Sequence, residues 1–392
     1  MTRRFGRGPA GAVESSWSGA PGTVPWTLAL GPAASLYEAA ASRARRRAAA
    51  TRRLASGVDV IAVGNLTVGG TGKSSLARWI AARAGARGRA ALLLRGHGGS
   101  RSGEEPRALP DFAGYPLARA AEWFGDEAAA HRAALPACVA VVAGHDRWRA
   151  ALLAREGYGA RTVVLDDGWE QGTLAWNALW VALDPERPAG NGRELPAGPL
   201  RRPPRTLGEA HVLAFVLERA DQEVPDAVVA WARQFAPIAC AARFRRVLRG
   251  LARAGLPGAR PEPVGQALPG PALLLSAVGA PARLERFVRG AGITIAAHAA
   301  FPDHARVEPG RLRELMREAA RRGAVAAIVT EKDEYRWSLP PDPPIPVLAL
   351  RTDLEPLDPV DRLPGIAPGP IRANCGGEPI AVPTGAATGA AT

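Results

Sequence analysis

Residues 58–82 constrain what this chain can fold into more than any other stretch. Val58-Asp59-Val60-Ile61-Ala62-Val63 is a β-branched, apolar run, and Gly64-Asn65-Leu66-Thr67-Val68-Gly69-Gly70-Thr71-Gly72 is a glycine-rich turn. Lys73-Ser74-Ser75-Leu76-Ala77-Arg78-Trp79-Ile80 then has helix-forming composition. Strand, loop and helix in that order are the frame of a phosphate-binding loop. Glycines let successive backbone N–H groups turn toward a polyphosphate, and the helix N-terminus adds the positive end of its dipole. Gly69, Gly70, Thr71, Gly72, Lys73, Ser74 and Ser75 are therefore the candidate nucleotide-binding residues. Lys73 is placed to reach the β- and γ-phosphates and the Ser74 hydroxyl to ligate Mg²⁺. The consensus G-x-x-x-x-G-K-[ST] is broken once, where Thr67 replaces its first glycine.

Lysine usage sharpens this reading. Of 50 Lys and Arg residues only Lys73 and Lys332 are lysine. A chain that uses arginine almost everywhere keeps lysine where a compact, slender cation is needed and a planar guanidinium does not serve. The competing reading is a glycine-rich β–α turn with a chance lysine.

The chain has 392 residues, 47% of them hydrophobic, enough for two domains with substantial cores. Cys138, Cys240 and Cys375 are far apart and form no C-x-x-C pair, which argues against a disulfide framework or a zinc site and suits a reducing cytosol. No apolar run approaches the roughly 18 residues of a membrane span, and Met1-Thr2-Arg3-Arg4 lacks the apolar core of a signal peptide. The expected location is the cytoplasm. A formal charge of +13 favours polyanions: nucleic acid, an anionic membrane surface or phosphorylated substrates.

Five segments follow from composition: a disordered N-terminus over 1–25, a basic helix over 26–57, a phosphate-loop domain over 58–186, a second α/β domain over 187–355 and a disordered tail over 356–392. The basic helix joins Leu28, Leu30, Leu36 and Tyr37 to a cluster of Arg43, Arg45, Arg46, Arg47, Arg52 and Arg53. It suits an anionic bilayer surface or, equally, a solvated helix packed on the domain. RNA is disfavoured because no aromatic platform accompanies the arginines. A strand over 90–94 leads into Arg95-Gly96-His97-Gly98-Gly99, in a position where loops line the ligand crevice of parallel sheets. Gly125-Asp126-Glu127 precedes a helix, and by periodicity its carboxylates read as capping and dipole complement. The strand over 162–165 ends in Asp166-Asp167, which suits Mg²⁺ ligation opposite a phosphate loop. The domain junction is placed just before the Pro- and Gly-rich stretch 190–204. Beyond it, strand-like and helix-like runs alternate, giving a fold class of α/β: a P-loop NTPase-type parallel sheet domain followed by a second, smaller α/β domain.

Seven ordered strings make the sequence resemble the tetraacyldisaccharide 4'-kinase family. They are the 63–73 loop, Arg95-Gly96-His97-Gly98-Gly99, Gly125-Asp126-Glu127, Asp166-Asp167-Gly168, Asn191-Gly192-Arg193 through Arg201, Phe301-Pro302-Asp303-His304 and Thr330-Glu331-Lys332-Asp333. The resemblance covers most of 58–333, and the family tolerates threonine where Thr67 stands. It implies ATP- and Mg²⁺-dependent phosphorylation of the 4'-hydroxyl of a lipid-linked, acylated glucosamine disaccharide 1-phosphate. It also implies a peripheral place on the cytoplasmic face of the inner membrane, with no nucleic acid and no obligate protein partner. By resemblance Asp126 becomes the catalytic base, assisted by His304, with Lys73 on the phosphates. Ser74, Asp166 and Asp167 would serve Mg²⁺, and His97, Glu127, Asn191 and Arg201 the disaccharide. Departures from the family pattern are Glu170-Gln171 in place of Gln-His, His97 in place of Tyr, Ala128 in place of Pro, Arg202 in place of an acidic residue and Ser74-Ser75 in place of Thr-Pro. Two other readings stand beside the kinase: a nucleotide-dependent switch acting on a protein, and a silent paralogue that binds lipid without phosphorylating it.

Overall fold

The structure, a computed structural model, describes residues 3–4, 30–100, 105–109, 117–256 and 259–366. Apart from residues 3–4, the disorder expected over 1–25 falls outside these residues, as does the expected tail beyond 366.

The strands are β1 (Arg3–Arg4), β2 (Asp59–Asn65), β3 (Ala90–Leu94), β4 (Arg107–Ala108), β5 (Val139–Ala143), β6 (Thr162–Leu165), β7 (Ala178–Leu183), β8 (Val212–Leu217), β9 (Cys240–Arg253), β10 (Ala272–Ser276), β11 (Ile295–Ala300), β12 (Ala326–Val329) and β13 (Val347–Pro356). The helices used below are α1 (Gly31–Ala50), α2 (Lys73–Gly85), α3 (Leu117–Phe124), α4 (Asp126–Ala134), α5 (Arg147–Tyr158), α6 (Asp226–Phe235), α7 (Pro281–Gly290), α8 (Pro309–Arg321) and α9 (Glu331–Arg336). Among the described residues the strands form one 13-stranded sheet in the order β1-β11-β10-β12-β13-β9-β8-β7-β2-β6-β3-β5-β4. Neighbours run parallel except at β9–β13 and β4–β5.

Apolar strands buried on both faces dictate this layering, because parallel sheets need cover on each side. Alternate residues of β2 enter different cores: Val60 and Ala62 one, Ile61 and Val63 the other. Ala150, Ala151, Ala154 and Tyr158 of α5 cover the first face, and Leu76, Ala77, Ile80 and Ala81 of α2 the second. Full burial of a side chain such as Leu76 or Ile80 is worth about 1.5–3 kcal/mol. In the second half, β10 divides Leu273 and Leu275 from Ala272 and Leu274 in the same way. Leu312, Leu315 and Met316 of α8 cover one side, and Phe287 and Val288 of α7 the other.

Two expected boundaries are corrected. β8 lies beyond the junction drawn at 187, yet it pairs in parallel with β7 and buries Leu213 and Phe215 in the first half's core. The Pro and Gly content of 190–204 marks irregular backbone inside the first half, not a change of core. The element that belongs to both halves is β9, whose start pairs with β8 and whose length from Phe244 to Arg253 pairs with β13. The tail drawn from 356 also starts too early. Val360, Leu363 and Ile366 are buried in the core over α2, and Trp180 Nε1 donates to the Pro364 carbonyl at 2.8 Å.

Candidate active site

Two glycines shape the loop between β2 and α2. Gly72 caps α2 with φ 85°, and a Cβ there would stand 2.8 Å from Val216 of β8. Left-handed backbone and this close approach together admit only glycine. Gly69 has φ 114°. Behind the loop runs 193–201: the Val68 N–H donates to the Pro199 carbonyl (2.8 Å), the Arg201 N–H donates to the Leu66 carbonyl (2.9 Å), and Thr67 bridges Leu200. Thr67, the consensus mismatch, thus holds a β-bridge where no left-handed residue is required.

Lys73, the first residue of α2, places Nζ 2.6 Å from Asp167 Oδ1. The same oxygen accepts from Arg201 Nη1 at 2.9 Å, and that nitrogen also donates to Asn65 Oδ1 at 3.2 Å. Asp167 adopts a left-handed φ of 56°, which turns its carboxylate toward these cations. Burial pushes the Asp167 pKa up, but the charges of Lys73 and Arg201 outweigh burial and hold it below the ordinary value. Asp166 is buried at the end of β6, its Oδ2 3.3 Å from His131 Nε2 of α4. Burial pushes the Asp166 carboxyl up, yet the His131 hydrogen bond and the Lys73 charge pull it down to about 2. Its other oxygen, Oδ1, is buried with no hydrogen-bond partner.

The second half supplies the facing wall. Arg283 of α7 donates to the Gly70 carbonyl at 3.1 Å and pairs with Asp184, while Arg246 of β9 donates to the Ser75 hydroxyl at 3.0 Å. Arg78 of α2 reaches across to Glu331 (2.5 Å) and the Thr352 carbonyl (2.6 Å). Lys332 pairs with Glu127. Burial lowers the Lys332 ammonium, but the Glu127 charge outweighs it and leaves the group raised; Lys332 in turn holds Glu127 down. Between this wall and the 69–75 loop lies a cleft of about 400 Å³, lined by that loop, Arg246, Arg283 and Lys332.

A second cavity of about 380 Å³ is lined by His97, Asp126, His304, Arg306 and Arg336, and it shares His304 and Arg336 with the first. Asp126 opens α4 directly after Gly125, whose φ is 90° and whose Cβ would stand 2.5 Å from the His97 carbonyl oxygen. That approach fixes the start of α4 against the 96–99 loop. Asp126 Oδ1 accepts from the Glu127 N–H at 2.9 Å. Asp126 Oδ2 accepts from Arg336 Nε at 2.7 Å and Nη2 at 2.5 Å. Arg336 Nη2 also lies 3.2 Å from His304 Nδ1.

The family model for tetraacyldisaccharide-1-P 4'-kinase matches residues 26–363. The chain belongs to this family. Among similar proteins, the tetraacyldisaccharide 4'-kinase of Anaeromyxobacter dehalogenans (strain 2CP-C) is 37% identical over 339 residues, covering 84% of this chain and 83% of that protein. The tetraacyldisaccharide 4'-kinase of Phenylobacterium zucineum is 35% identical over 325 residues, covering 80% and 88%. The crystal structure of LpxK from Aquifex aeolicus, solved in complex with ATP, superposes with a TM-score of 0.62 over 84% of this chain and 95% of that one. At 22% identity that likeness speaks for the mixed α/β fold alone.

Within the fold of this family member, Gly69 to Ser75, Glu127, His304 and Lys332 line one cleft, and Asp126 and His97 line the cavity beside it. Asp166, Asp167 and Arg201 cluster around Lys73 and His131. Asn191 is engaged in its own loop: its side chain donates to the Ala197 carbonyl (3.0 Å) and accepts from the Arg193 N–H (3.1 Å). Two family departures explain each other, since Glu170 accepts from Arg202 Nε at 2.6 Å while the Arg202 guanidinium stacks 4.4 Å over Trp169. Sequence reasoning missed His131, Arg283 and Arg336. Spacing held a signal for two of them: His131 stands four residues after Glu127, and Arg336 four after Lys332, each pair sharing one helix face.

Proposed function

We propose that this chain transfers the γ-phosphoryl group of ATP to the 4'-hydroxyl of an acylated glucosamine disaccharide 1-phosphate, a step of lipid A biosynthesis. The observation that carries the reading is the pair of adjoining cavities, one under the phosphate loop with Lys73 and one at Asp126, sharing His304 and Arg336. In this account β2–β8 and the start of β9 act as a P-loop NTPase-type unit, and the remainder as a smaller α/β unit closing over it.

Lys73 neutralises the resting Asp167 carboxylate. Lys73 would turn from Asp167 to a triphosphate bound in the loop, while Arg201 would keep Asp167 in place. Mg²⁺ fits the residues present: Asp166 Oδ1 is a buried oxygen without a partner, and Asp167 and the Ser74 hydroxyl add two more oxygens. No group of three or more His, Cys, Asp or Glu that could hold a metal forms among the described residues, so these oxygens would hold Mg²⁺ only together with non-protein ligands, as suits a hard cation. When bound, Mg²⁺ supplies charge neutralisation on the transferring phosphates. Asp126 accepts the acceptor's hydroxyl proton, which leaves late in a loose transition state, and His304 orients or relays. His97 is the acceptor-side residue with the firmest support, because it lines the Asp126 cavity. Glu127 acts by holding Lys332, Arg201 by holding Asp167, and Asn191 by shaping the loop that carries Arg201.

The acceptor is a lipid, so the reaction belongs at a bilayer surface. No helix among the described residues is long and apolar enough to cross a membrane. We assign α1, with its exposed Arg43, Arg46 and Arg47, to a peripheral contact on the anionic cytoplasmic face of the inner membrane. The test is incubation with ATP, Mg²⁺ and detergent-solubilised disaccharide 1-phosphate, followed by mass analysis for one added phosphate. Lys73→Ala should be folded and slower by about 10²-fold or more. No phosphorylated product from the parent chain, or a Lys73→Ala rate within tenfold of it, would sink the reading.

A further inference from the structure

Arg336 lies outside the strings that carry the family resemblance, the last of which ends at Asp333. It is nevertheless the most firmly held charge between the two cavities, its side chain only 5% exposed. Its contacts divide by direction. Within its own half, Nη1 donates to the Ala277 carbonyl at 2.9 Å and to Asp333 at 3.0 Å. Asp333 is itself fixed, accepting from the Thr330 hydroxyl at 2.6 Å and from the Ala277 N–H at 3.2 Å. Across the chain's two halves, Nε and Nη2 take Asp126 Oδ2 at 2.7 and 2.5 Å. Nη2 also meets His304 Nδ1 at 3.2 Å.

A planar guanidinium offers donors in fixed directions, so anchoring one edge sets the other. Asp126 is thereby held by a single oxygen. Among the described residues its Oδ1 accepts only the Glu127 N–H, which leaves this oxygen lone-pair capacity on a residue that lines the acceptor-side cavity. The same guanidinium is a donor only, so Nδ1 of His304 accepts and the neutral ring carries its proton on Nε2. One cation therefore orients a proton acceptor and a proton donor that come from opposite halves of the chain. α9 also docks on α4 twice, through Lys332 on Glu127 and Arg336 on Asp126. The register of α4 against the cleft is set by both contacts.

We infer that Arg336 is a positioning residue for phosphoryl transfer: it fixes the Asp126 carboxylate and the His304 ring in one arrangement facing the acceptor, with no direct contact between them. This rests on the reading of Asp126 as the base. Misplacing such a group by about 1 Å costs on the order of 10²-fold in rate.

The experiment compares the full chain with Arg336→Lys, Arg336→Ala, Asp126→Ala and the Asp126→Ala/Arg336→Ala double variant, using ATP, Mg²⁺ and the disaccharide 1-phosphate. Arg336→Lys keeps a charge but loses the fork, so kcat should fall roughly 10²-fold while KM for ATP stays within about threefold. Adding guanidinium at non-denaturing concentration should restore roughly tenfold of the rate to folded Arg336→Ala and nothing to Asp126→Ala. The double variant should be no slower than Asp126→Ala, because the carboxylate and the ring that Arg336 positions serve the same proton transfer and count for nothing once the carboxylate is gone. If Arg336→Ala melts early, Arg336→Lys and its kcat–KM split decide. A folded Arg336→Lys turning over within about threefold of the parent, losses that multiply in the double variant, or no rescue of folded Arg336→Ala each overturn the inference. Normal turnover in Asp126→Ala overturns the base reading instead, so the two failures are separable.

Discussion

At the residue scale the site is a set of charges that burial would destabilise singly and that pairing makes affordable. Asp166 is the sharpest case. Its ordinary value of 3.8 is pulled to about 2 in the fold. A depressed carboxylate contributes stability that is complete above the unfolded value and is lost as pH falls through the folded one. The contribution of Asp166 should therefore be lost as pH falls from 3.8 toward about 2. Thermal melts across that window should show the parent losing stability faster than Asp166→Asn. Parallel slopes for the two proteins would remove the assignment. The residue types of this site were legible in the sequence, since Lys73, Asp126, Asp166 and Asp167 all stand in recognisable strings. Their partners were not, because His131 sits 35 positions from Asp166 and nothing local records that approach.

At the element scale α1 differs from every other long helix here. Of its 20 residues only Ala34 is buried, and Leu36 and Tyr37 are 73% and 38% exposed. It is held at a few polar points: Glu38 takes Arg45 at 2.8 Å and Arg205 at 3.0 Å, and beyond its end Arg52 stacks 3.7 Å over Trp176. Part of the basic cluster is committed to the fold and part faces outward. Arg43, Arg46 and Arg47 belong to the outward set. At roughly 1 kcal/mol per arginine near an anionic bilayer, replacing these three by glutamine should weaken vesicle binding by about two orders of magnitude. Liposome sedimentation at low and high salt tests it. Equal binding to neutral and anionic vesicles by the parent would end the electrostatic anchor.

At the scale of the whole molecule the two halves are one sheet, sewn by β9 and β13 and bridged by the pairs Arg78–Glu331, Arg283–Asp184, Lys332–Glu127 and Arg336–Asp126. The segment after β13 returns to the first half and closes its core with Val360, Leu363 and Ile366. Leu363→Ala should cost about 2–5 kcal/mol, as buried truncations do. Urea unfolding that shows a change below about 0.5 kcal/mol, the range of surface substitutions, would return 356–366 to the unstructured tail its composition suggested.

What the sequence determined by itself is what short-range physics writes into a few adjacent residues. The apolar run of β2, the glycines of the loop and the helix start at Lys73 lie within one stretch, so their order alone specifies strand, turn and helix. Acidic pairs at strand ends and the run of seven strings were readable on the same ground. Tertiary structure decided which distant charges meet. Arg336 reaches Asp126 across 210 positions and Lys332 reaches Glu127 across 205, and each contact exists only because β9 carries the second half back over the first. Composition misplaced the boundary for the same reason. Proline and glycine report local irregularity of the backbone, whereas the extent of a core depends on which strands hydrogen-bond, a choice made by the whole chain at once.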